Sequence, residues 1–295
     1  MFSGQSAEPA VSVIVATVEA ERSIVECLRS LKAARGGSAA ELIVVDGSND
    51  TTADLVHRIF PDVALIRMRA GTLAPRLWSA GLAVAKGRNV ALMTGHSKVP
   101  YNWLDALGSA LGPGVSGSGG PVALSAASSL LDAAIYFLRY SAFMPGGNAG
   151  ATSTREIAAD NAMYRGDILR RHSRSFDDGF WEVDFHHRIR AEGEALAMVP
   201  GARLEFGRSF PLMAISRQRF AHGRHFGRWR VRNTKVTRLR TFVAAPVVPF
   251  VLMARIAGRV FRSGGDALRF AAASPLILWL SICWAAGEAR GAAEA

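Results

Sequence analysis

The chain has 295 residues, 49% of them hydrophobic and only 20% charged, which excludes wholesale disorder and is enough apolar mass for one large domain and an appendage. Its formal net charge is +11, with a pI near 10.7, which favours polyanionic partners: nucleotide diphosphates, anionic lipid or nucleic acid. Two cysteines, Cys27 and Cys283, far apart and in apolar patterns, exclude a disulfide framework and a zinc site and read as packing residues in a reducing compartment.

The first nine residues are polar and lack a basic stretch followed by an apolar one, so no secretory signal is expected and 1–9 reads as a disordered tail. Val11–Thr17 is a short β-branched apolar run, a buried strand. Ile24, Cys27, Leu28 and Leu31 recur at helical spacing, and Gly36-Gly37 ends that helix. Glu41–Val45 is a second buried strand, Asp46–Asp50 a turn, and a helix runs through Leu55 and Ile59. Val63–Met68 is a third strand, Thr72–Ala85 a helix closed by Lys86-Gly87, and Asn89–Met93 a fourth strand. Strands alternating with helices imply a largely parallel sheet covered on both faces, with ligands beyond the carboxyl ends of its strands. The residues there are Thr17 to Glu19, Asp46 to Asp50 and Thr94 to Ser97, all polar clusters.

Beyond this, Gly112–Gly120 reads as a loop, Leu130–Phe143 as an apolar helix, Met144–Thr154 as a glycine-rich loop, and Glu182–Glu192 as a helix closed by Gly193. The last third changes character. Arg217–Arg240 holds eight arginines and one lysine with no acid, and two apolar runs follow, Thr241–Ala254 and Phe270–Gly287. As helices they would reach about 21 and 27 Å against a hydrocarbon core of about 30 Å, with prolines 246, 249 and 275 interrupting them.

Asp46 closes a buried strand and opens a Gly/Ser turn. A carboxylate there can accept from the N–H edge of a base while turn amides face a phosphate or ribose; a plain strand–helix turn with capping groups gives the same pattern. Val11–Thr17 and Glu41-Leu-Ile-Val-Val-Asp-Gly-Ser-Asn-Asp50 closely resemble the opening of family-two glycosyltransferases. The likeness continues at Gly81–Gly87, Pro100–Leu104, Asn161–Arg165 and Phe176–Arg188, over roughly residues 10–235, and Trp284–Gly291 is similar to the tail of membrane-associated members. The resemblance implies a GT-A fold with a Rossmann-like mixed sheet at 10–235 and a membrane-attaching helical region at 236–295. It implies that Asp46 contacts the base and that Thr17 and Glu19 line the same pocket.

The family's Asp-x-Asp after the fourth strand binds Mg²⁺ or Mn²⁺ against the donor diphosphate. Here Thr94-Gly95-His96 stands in its place, a hydroxyl and an imidazole that suit Mg²⁺ poorly. His96 is then a lone metal ligand, a direct phosphate donor or a hydrogen-bonding loop residue. A cation must still meet the leaving diphosphate, and Arg76, Arg217, Arg219 and Arg224 are the candidates, with Gln218 beside them. Alignment on Arg188 puts Glu182 at the family's general-base position, Trp181 at its acidic partner, and Asp184 next in order. A helix N-terminus rich in acids would look the same. The pairs His186-His187 and His222/His225 fit a metal badly: the first points to different helix faces and the second sits among arginines.

The basic stretch with Phe220, Phe226 and Trp229 could bind nucleic acid, but the neighbouring apolar runs favour anionic lipid. Arg255, Arg259 and Arg262 share a face opposite Val251, Leu252, Ile256 and Val260, the pattern of an interfacial helix. Monotopic or re-entrant attachment at the cytoplasmic face is the favoured reading, and two short spans the alternative. Gln218 and Arg228-Trp229 are ten residues apart, where processive synthases carry a contiguous Gln-x-x-Arg-Trp. That points to transfer of a single sugar, from a nucleotide-sugar with UDP favoured, to a lipid-linked or glycan acceptor, with membrane lipids and no nucleic acid as partners. The rival is an impaired nucleotide-sugar-binding scaffold.

Overall fold

A computed structural model describes residues 9–34, 40–146, 152–207, 211–234 and 236–295. The tail before Pro9, the Gly36-Gly37 helix stop and the centre of the 144–154 loop lie outside the described residues. The chain divides into two compact units, Met1–Ala123 with Gly147–Phe206, and Leu124–Gly146 with Gly207–Ala295.

In chain order the elements begin with β1 (Val11–Thr17), α1 (Ile24–Ala34), β2 (Ala40–Asp46), α2 (Thr52–Ile59), β3 (Ala64–Arg67), α3 (Ala74–Leu82) and β4 (Asn89–Thr94). They continue with β5 (Ser97–Lys98), α4 (Trp103–Ser109), β6 (Val115–Gly119), β7 (Val122–Leu124), α5 (Leu130–Tyr140), β8 (Thr152–Thr154), β9 (Asn161–Arg165), α6 (Gly166–Arg171) and α7 (Glu182–Ala191). Last come β10 (Ala195–Met198), β11 (Leu204–Phe206), α8 (Leu212–Asn233), α9 (Arg238–Ala244), α10 (Val248–Arg262) and α11 (Ala267–Ala293).

Among the described residues the main sheet runs β3-β2-β1-β4-β9-β6-β10-β8, and a small one runs β5-β11-β7. The β3-β2-β1-β4 half is parallel, as the alternation of elements requires. β9 then runs antiparallel between β4 and β6, so the whole sheet is mixed. Alternate residues of the central strands, Ile14, Ala16, Ile43, Val45, Val90 and Leu92, share one core with Leu77 and Trp78 of α3 and with Tyr164, Phe180 and Phe185. Burial of each of the larger aliphatic and phenyl side chains among them contributes about 1.5–3 kcal/mol. Two glycines let the layers close. A Cβ on Gly81 would lie 2.4 Å from Ile14 Cγ2, and one on Gly87 2.3 Å from the Ser12 nitrogen. On α1, Cys27 is fully buried, its thiol 3.9 Å from the Thr94 carbonyl oxygen, and burial pushes its pKa up to about 12.

The Gly/Ser stretch 112–120 departs from its loop reading, because Val115–Gly119 is an interior strand. Glycine disfavours strands in general, but here the absent side chains make room for neighbours. A Cβ on Gly117 would lie 2.7 Å from both Leu196 Cδ2 and Tyr164 Cδ1, and one on Gly119 2.6 Å from Ile157 Cβ. Beside it, Asn161 gives its amide hydrogens to the Pro121 and Ala202 carbonyls and accepts from Trp103 Nε1 at 2.8 Å, which joins two of the sequence motifs at a buried clamp.

The second unit is helical apart from the end of β7. α8 and α11 run side by side in the same direction: Ser216 meets Trp279, Gly223 meets Trp284, and Gly227 meets Glu288. Four glycines set this contact. A Cβ on Gly223, Gly227, Gly287 or Gly291 would stand 2.1, 2.1, 2.0 or 1.9 Å from a carbonyl oxygen of the opposite helix. Ion pairs tie the same two helices: Arg230 to the buried Glu288 at 2.6 Å, and Arg224 and Arg228 to Glu294. α9 and α10 meet at a 67° bend at the prolines. Half of the apolar face expected to meet lipid turns inward instead: Ile256 and Val260 are buried, while Phe250, Val251 and Phe261 are exposed.

Candidate functional site

The site is assembled from the carboxyl ends of β1, β2 and β4. Asp46, the last residue of β2, is buried, and its Oδ1 accepts from Thr17 Oγ1 at 2.7 Å and from Ser48 Oγ at 2.6 Å. Among the described residues no hydrogen bond engages Oδ2. Ser48 in turn accepts from the Glu19 N–H at 2.8 Å, and the Glu19 carboxylate accepts from the Asn49 N–H at 3.0 Å. Glu19 holds a left-handed backbone, φ 53°, a conformation that persists only where neighbours impose it. The loops after β1 and β2 are further laced by Ala20 N–H to Thr52 Oγ1 and Glu21 N–H to Asp50 Oδ2. Thr17, Glu19 and Asp46 therefore come together; Ser48, which completes the group, belongs to the same Asp-Gly-Ser turn and went unassigned in the sequence.

Thr94 and His96 lie beside this cradle. A Cβ on Gly95 would come within 2.7 Å of Thr17 Cγ2, so only glycine lets the two loops touch. His96 is buried with Nε2 2.9 Å from the Val18 carbonyl and Nδ1 3.3 Å from Ser23 Oγ. A carbonyl only accepts, so Nε2 carries the hydrogen. That sets both ring nitrogens of the imidazole against the β1–α1 loop, the contacts of a hydrogen-bonding loop residue. Thr94 Oγ1 is buried without a hydrogen-bond partner among the described residues. One hydroxyl and one committed imidazole do not fit Mg²⁺ or Mn²⁺, which want several hard oxygens, and no group of three His, Cys, Asp or Glu among the described residues could hold a metal.

α3 links the cradle to the second acidic cluster. The Met68 N–H reaches the Asp46 carbonyl and the Gly71 N–H that of Gly47, which brings the chain to the start of α3. There the Pro75 carbonyl accepts the Phe180 N–H at 2.7 Å, Ser79 Oγ donates to the Phe176 carbonyl at 2.6 Å, and Arg76 pairs with Asp178. Gly179, at φ 117°, makes that close passage possible. Trp181 follows as the residue before α7, its Nε1 donating to the Asp178 carbonyl at 3.1 Å. Glu182 opens the helix, and Asp184 is drawn to Arg188 one turn on, at 2.8 Å.

Beneath Glu182 lies a chain of groups that sequence reading missed. His186 is fully buried and gives its Nδ1 hydrogen to Glu156 Oε2 at 2.6 Å, while Nε2 takes the hydroxyl of the buried Tyr164 at 2.9 Å. Burial first, then the charges of Glu182, Glu156 and Asp160, raise the Tyr164 pKa well above its ordinary value, so its proton stays in place. This chain ties α7 to β9 and fixes the helix that presents Glu182. His186 is thus a satisfied core histidine. Tyr164 and His186 each lie in a stretch that carries the family resemblance, Asn161–Arg165 and Phe176–Arg188, but Glu156 and the link between the three carried no signal in the sequence.

Arg217, Gln218, Arg219 and Arg224 lie on α8, in the other unit. Arg224 is held by Glu294 through Nε and Nη2, at 2.7 and 2.8 Å.

The chain belongs to glycosyl transferase family 2: the family model matches residues 12–171, more than half of its length. The mixed α/β sheet is the GT-A arrangement that membership implies, and the protein is a glycosyltransferase. The match ends before the Asp177–Asp184 turn. Among solved structures, S. aureus TarS 1-349 is similar at 13% identity and a TM-score of 0.49, covering 91% of this chain and 70% of that one. Its complex with UDP-GlcNAc is similar at 14% identity and a TM-score of 0.46, covering 91% and 71%. No curated protein gives a significant sequence match.

Proposed function

We propose that the protein is an inverting glycosyltransferase that moves one sugar from a nucleotide-sugar, with UDP the favoured carrier, to a hydroxyl of a lipid-linked or glycan acceptor at the cytoplasmic face of a membrane. The Thr17–Asp46–Ser48 cradle is the observation that supports the donor half. Two hydroxyls fix one carboxylate oxygen and leave the other to accept a base N–H, with Glu19 bracing the loop. Glu182 takes the proton of the acceptor hydroxyl as its oxygen attacks the anomeric carbon, and the sugar–phosphate bond breaks with its electron pair leaving on the nucleoside diphosphate. One displacement on one face inverts the configuration. Glu182 is preferred to Asp184 because alignment on Arg188 puts it at the family's general-base position, at the opening of α7. Trp181 walls the acceptor side, and Arg76, once released from Asp178, meets the departing diphosphate. The family often uses a divalent ion at the diphosphate; Thr94 and His96 supply no fitting donor set for one, and no step here runs through it.

A thermal-shift series with UDP-, GDP- and dTDP-sugars, with and without Mn²⁺, followed by a transfer assay, tests the reading. Glu182→Gln is expected to abolish transfer and keep the donor-induced shift; near-normal transfer rejects the base. The Thr94-Gly95-His96 substitution also favours a second reading, a donor-binding scaffold, which predicts a shift with the donor and no turnover even in the unmutated protein.

A further inference from the structure

We propose that Glu156, His186 and Tyr164 are positioning residues of the transfer reaction: hydrogen-bonded in a chain beneath the first turn of α7, they aim the Glu182 carboxylate at the acceptor hydroxyl. The inference rests on the reading of Glu182 as the general base.

Glu182 and His186 are four positions apart on α7 and share a face, with their Cβ atoms about 5–6 Å apart. Helical side chains tilt towards the N-terminus, so the buried imidazole leans over the turn that Glu182 opens. The N-cap does not fix that turn, because the residue there is Trp181, and an indole offers no acceptor to the helix amides. Around His186 the rings of Tyr164, Phe180 and Phe185 pack at centroid distances of 5.1 to 5.5 Å. Apolar burial of this kind is non-directional and sets the rotation of a helix less closely than hydrogen bonds do.

The chain supplies the direction. Tyr164 sits inside the main sheet, on β9 between β4 and β6, and its ring lies where Gly117 has no side chain. From there its hydroxyl reaches His186 Nε2, and the other ring nitrogen reaches Glu156. Glu156 holds the helix at two successive turns. Its Oε2 takes the His186 hydrogen, and its Oε1 lies 3.6 Å from Arg190 Nη2. Arg190 in turn donates from Nε to the His186 carbonyl at 3.1 Å. An apolar residue at 186 would join the aromatic cluster with no polar group to desolvate. A polar chain is tolerated there only with its members paired, and the pairing dictates its geometry. Glu182 comes second, after burial, among the causes that raise the Tyr164 pKa, in keeping with a carboxylate one turn from the imidazole that Tyr164 binds. A shift of about 1 Å at a reacting group can cost on the order of a hundredfold in rate. A roll of α7 would therefore lower turnover and leave the donor cradle on β1 and β2 as it is.

The test follows UDP release from UDP-glucose and UDP-N-acetylglucosamine by the full chain, with water as the acceptor and circular-dichroism melts alongside. Tyr164→Phe removes one hydroxyl and keeps the ring. It is expected to lower kcat about tenfold, the order of one buried hydrogen bond, and to leave the donor KM within about twofold. Glu156→Ala should do the same, whereas Glu156→Gln, which still accepts from Nδ1–H, should recover most of the rate. By NMR the His186 Nδ1–H should exchange slowly with water in the unmutated chain and faster in Glu156→Ala. Unaltered kcat in folded Tyr164→Phe and Glu156→Ala overturns the proposal, even where the melting temperature falls. So does a loss confined to KM, or a loss in Glu156→Gln as large as in Glu156→Ala. Failure of the base reading looks different, since Glu182→Gln would then keep releasing UDP whatever the chain variants do.

Discussion

On the proposed reading Asp46 uses one oxygen to hold the loops and the other to meet a base, and its substitution separates the two roles. Asn can still accept from Thr17 and Ser48 through its oxygen, but it turns an NH₂ where a base N–H would arrive. Asp46→Asn is therefore expected to weaken donor affinity by about 10- to 100-fold, from about 1.5–3 kcal/mol for a hydrogen bond to a charged group, with little change in melting temperature; calorimetric titration with UDP-sugars decides it. His96 behaves in the opposite manner. Its ring bridges Val18 and Ser23 in the interior, so His96→Ala should lower stability by about 1–3 kcal/mol while any response to Mn²⁺ stays as it was. A loss of metal response without a loss of stability would return His96 to the role of ligand. Asp46 was legible in the sequence because a strand end and a Gly/Ser turn are local signals. The fate of His96 was not, because both of its partners lie more than seventy positions earlier in the chain. The Glu156–His186–Tyr164 chain was hidden for the same reason, since its members come from three separate segments.

Elements show how the meaning of a glycine depends on its surroundings. Gly287 on α11 faces the Phe220 carbonyl oxygen at 2.0 Å, whereas Gly258 on α10 meets nothing nearer than an arginine tip at 3.9 Å. Gly287→Ala should destabilise the α8–α11 pair by about 1–3 kcal/mol through overpacking, while Gly258→Ala should stabilise by about 0.5–1 kcal/mol through helix propensity; paired thermal melts show the opposite signs. The same helix pair predicts a pH dependence. Hydrogen bonds from Arg224 foremost, then Arg290 and Arg228, hold the Glu294 pKa at about 2 against an ordinary 4.5. A lowered carboxylate pKa stabilises the folded state above the unfolded value and loses that effect as pH falls through the folded one. The difference in melting temperature between the unmutated chain and Glu294→Gln should then be flat above about pH 5 and shrink from about 4.5 towards 2. The parallel half of the sheet was legible because each buried strand announces itself by an apolar run. β6 was not, since its glycines answer to Tyr164, Leu196 and Ile157, which only tertiary packing brings near.

For the molecule as a whole the open question is attachment. α11 is long and apolar enough to cross a membrane, yet the face bearing Gly287, Glu288 and Gly291 is packed against α8. The exposed apolar side chains cluster on α9 and α10: Leu239, Phe242, Val243, Val247, Phe250, Val251 and Phe261. A helix bundle with that covering fits interfacial insertion, and Phe242→Glu with Phe250→Glu should reduce the membrane-bound fraction in flotation without shifting the melting temperature. Composition foretold the basic and apolar character of this region, but not which side of each helix faces its own unit, since that choice is made by the glycine contacts and by Ile256 and Val260. The two thiols offer a practical handle on such events. Cys27, protonated and enclosed, is inert to maleimides at neutral pH, while Cys283 is partly accessible on α11. The unmutated protein thus takes a single fluorophore on α11, whose emission would change colour as the helical unit meets lipid.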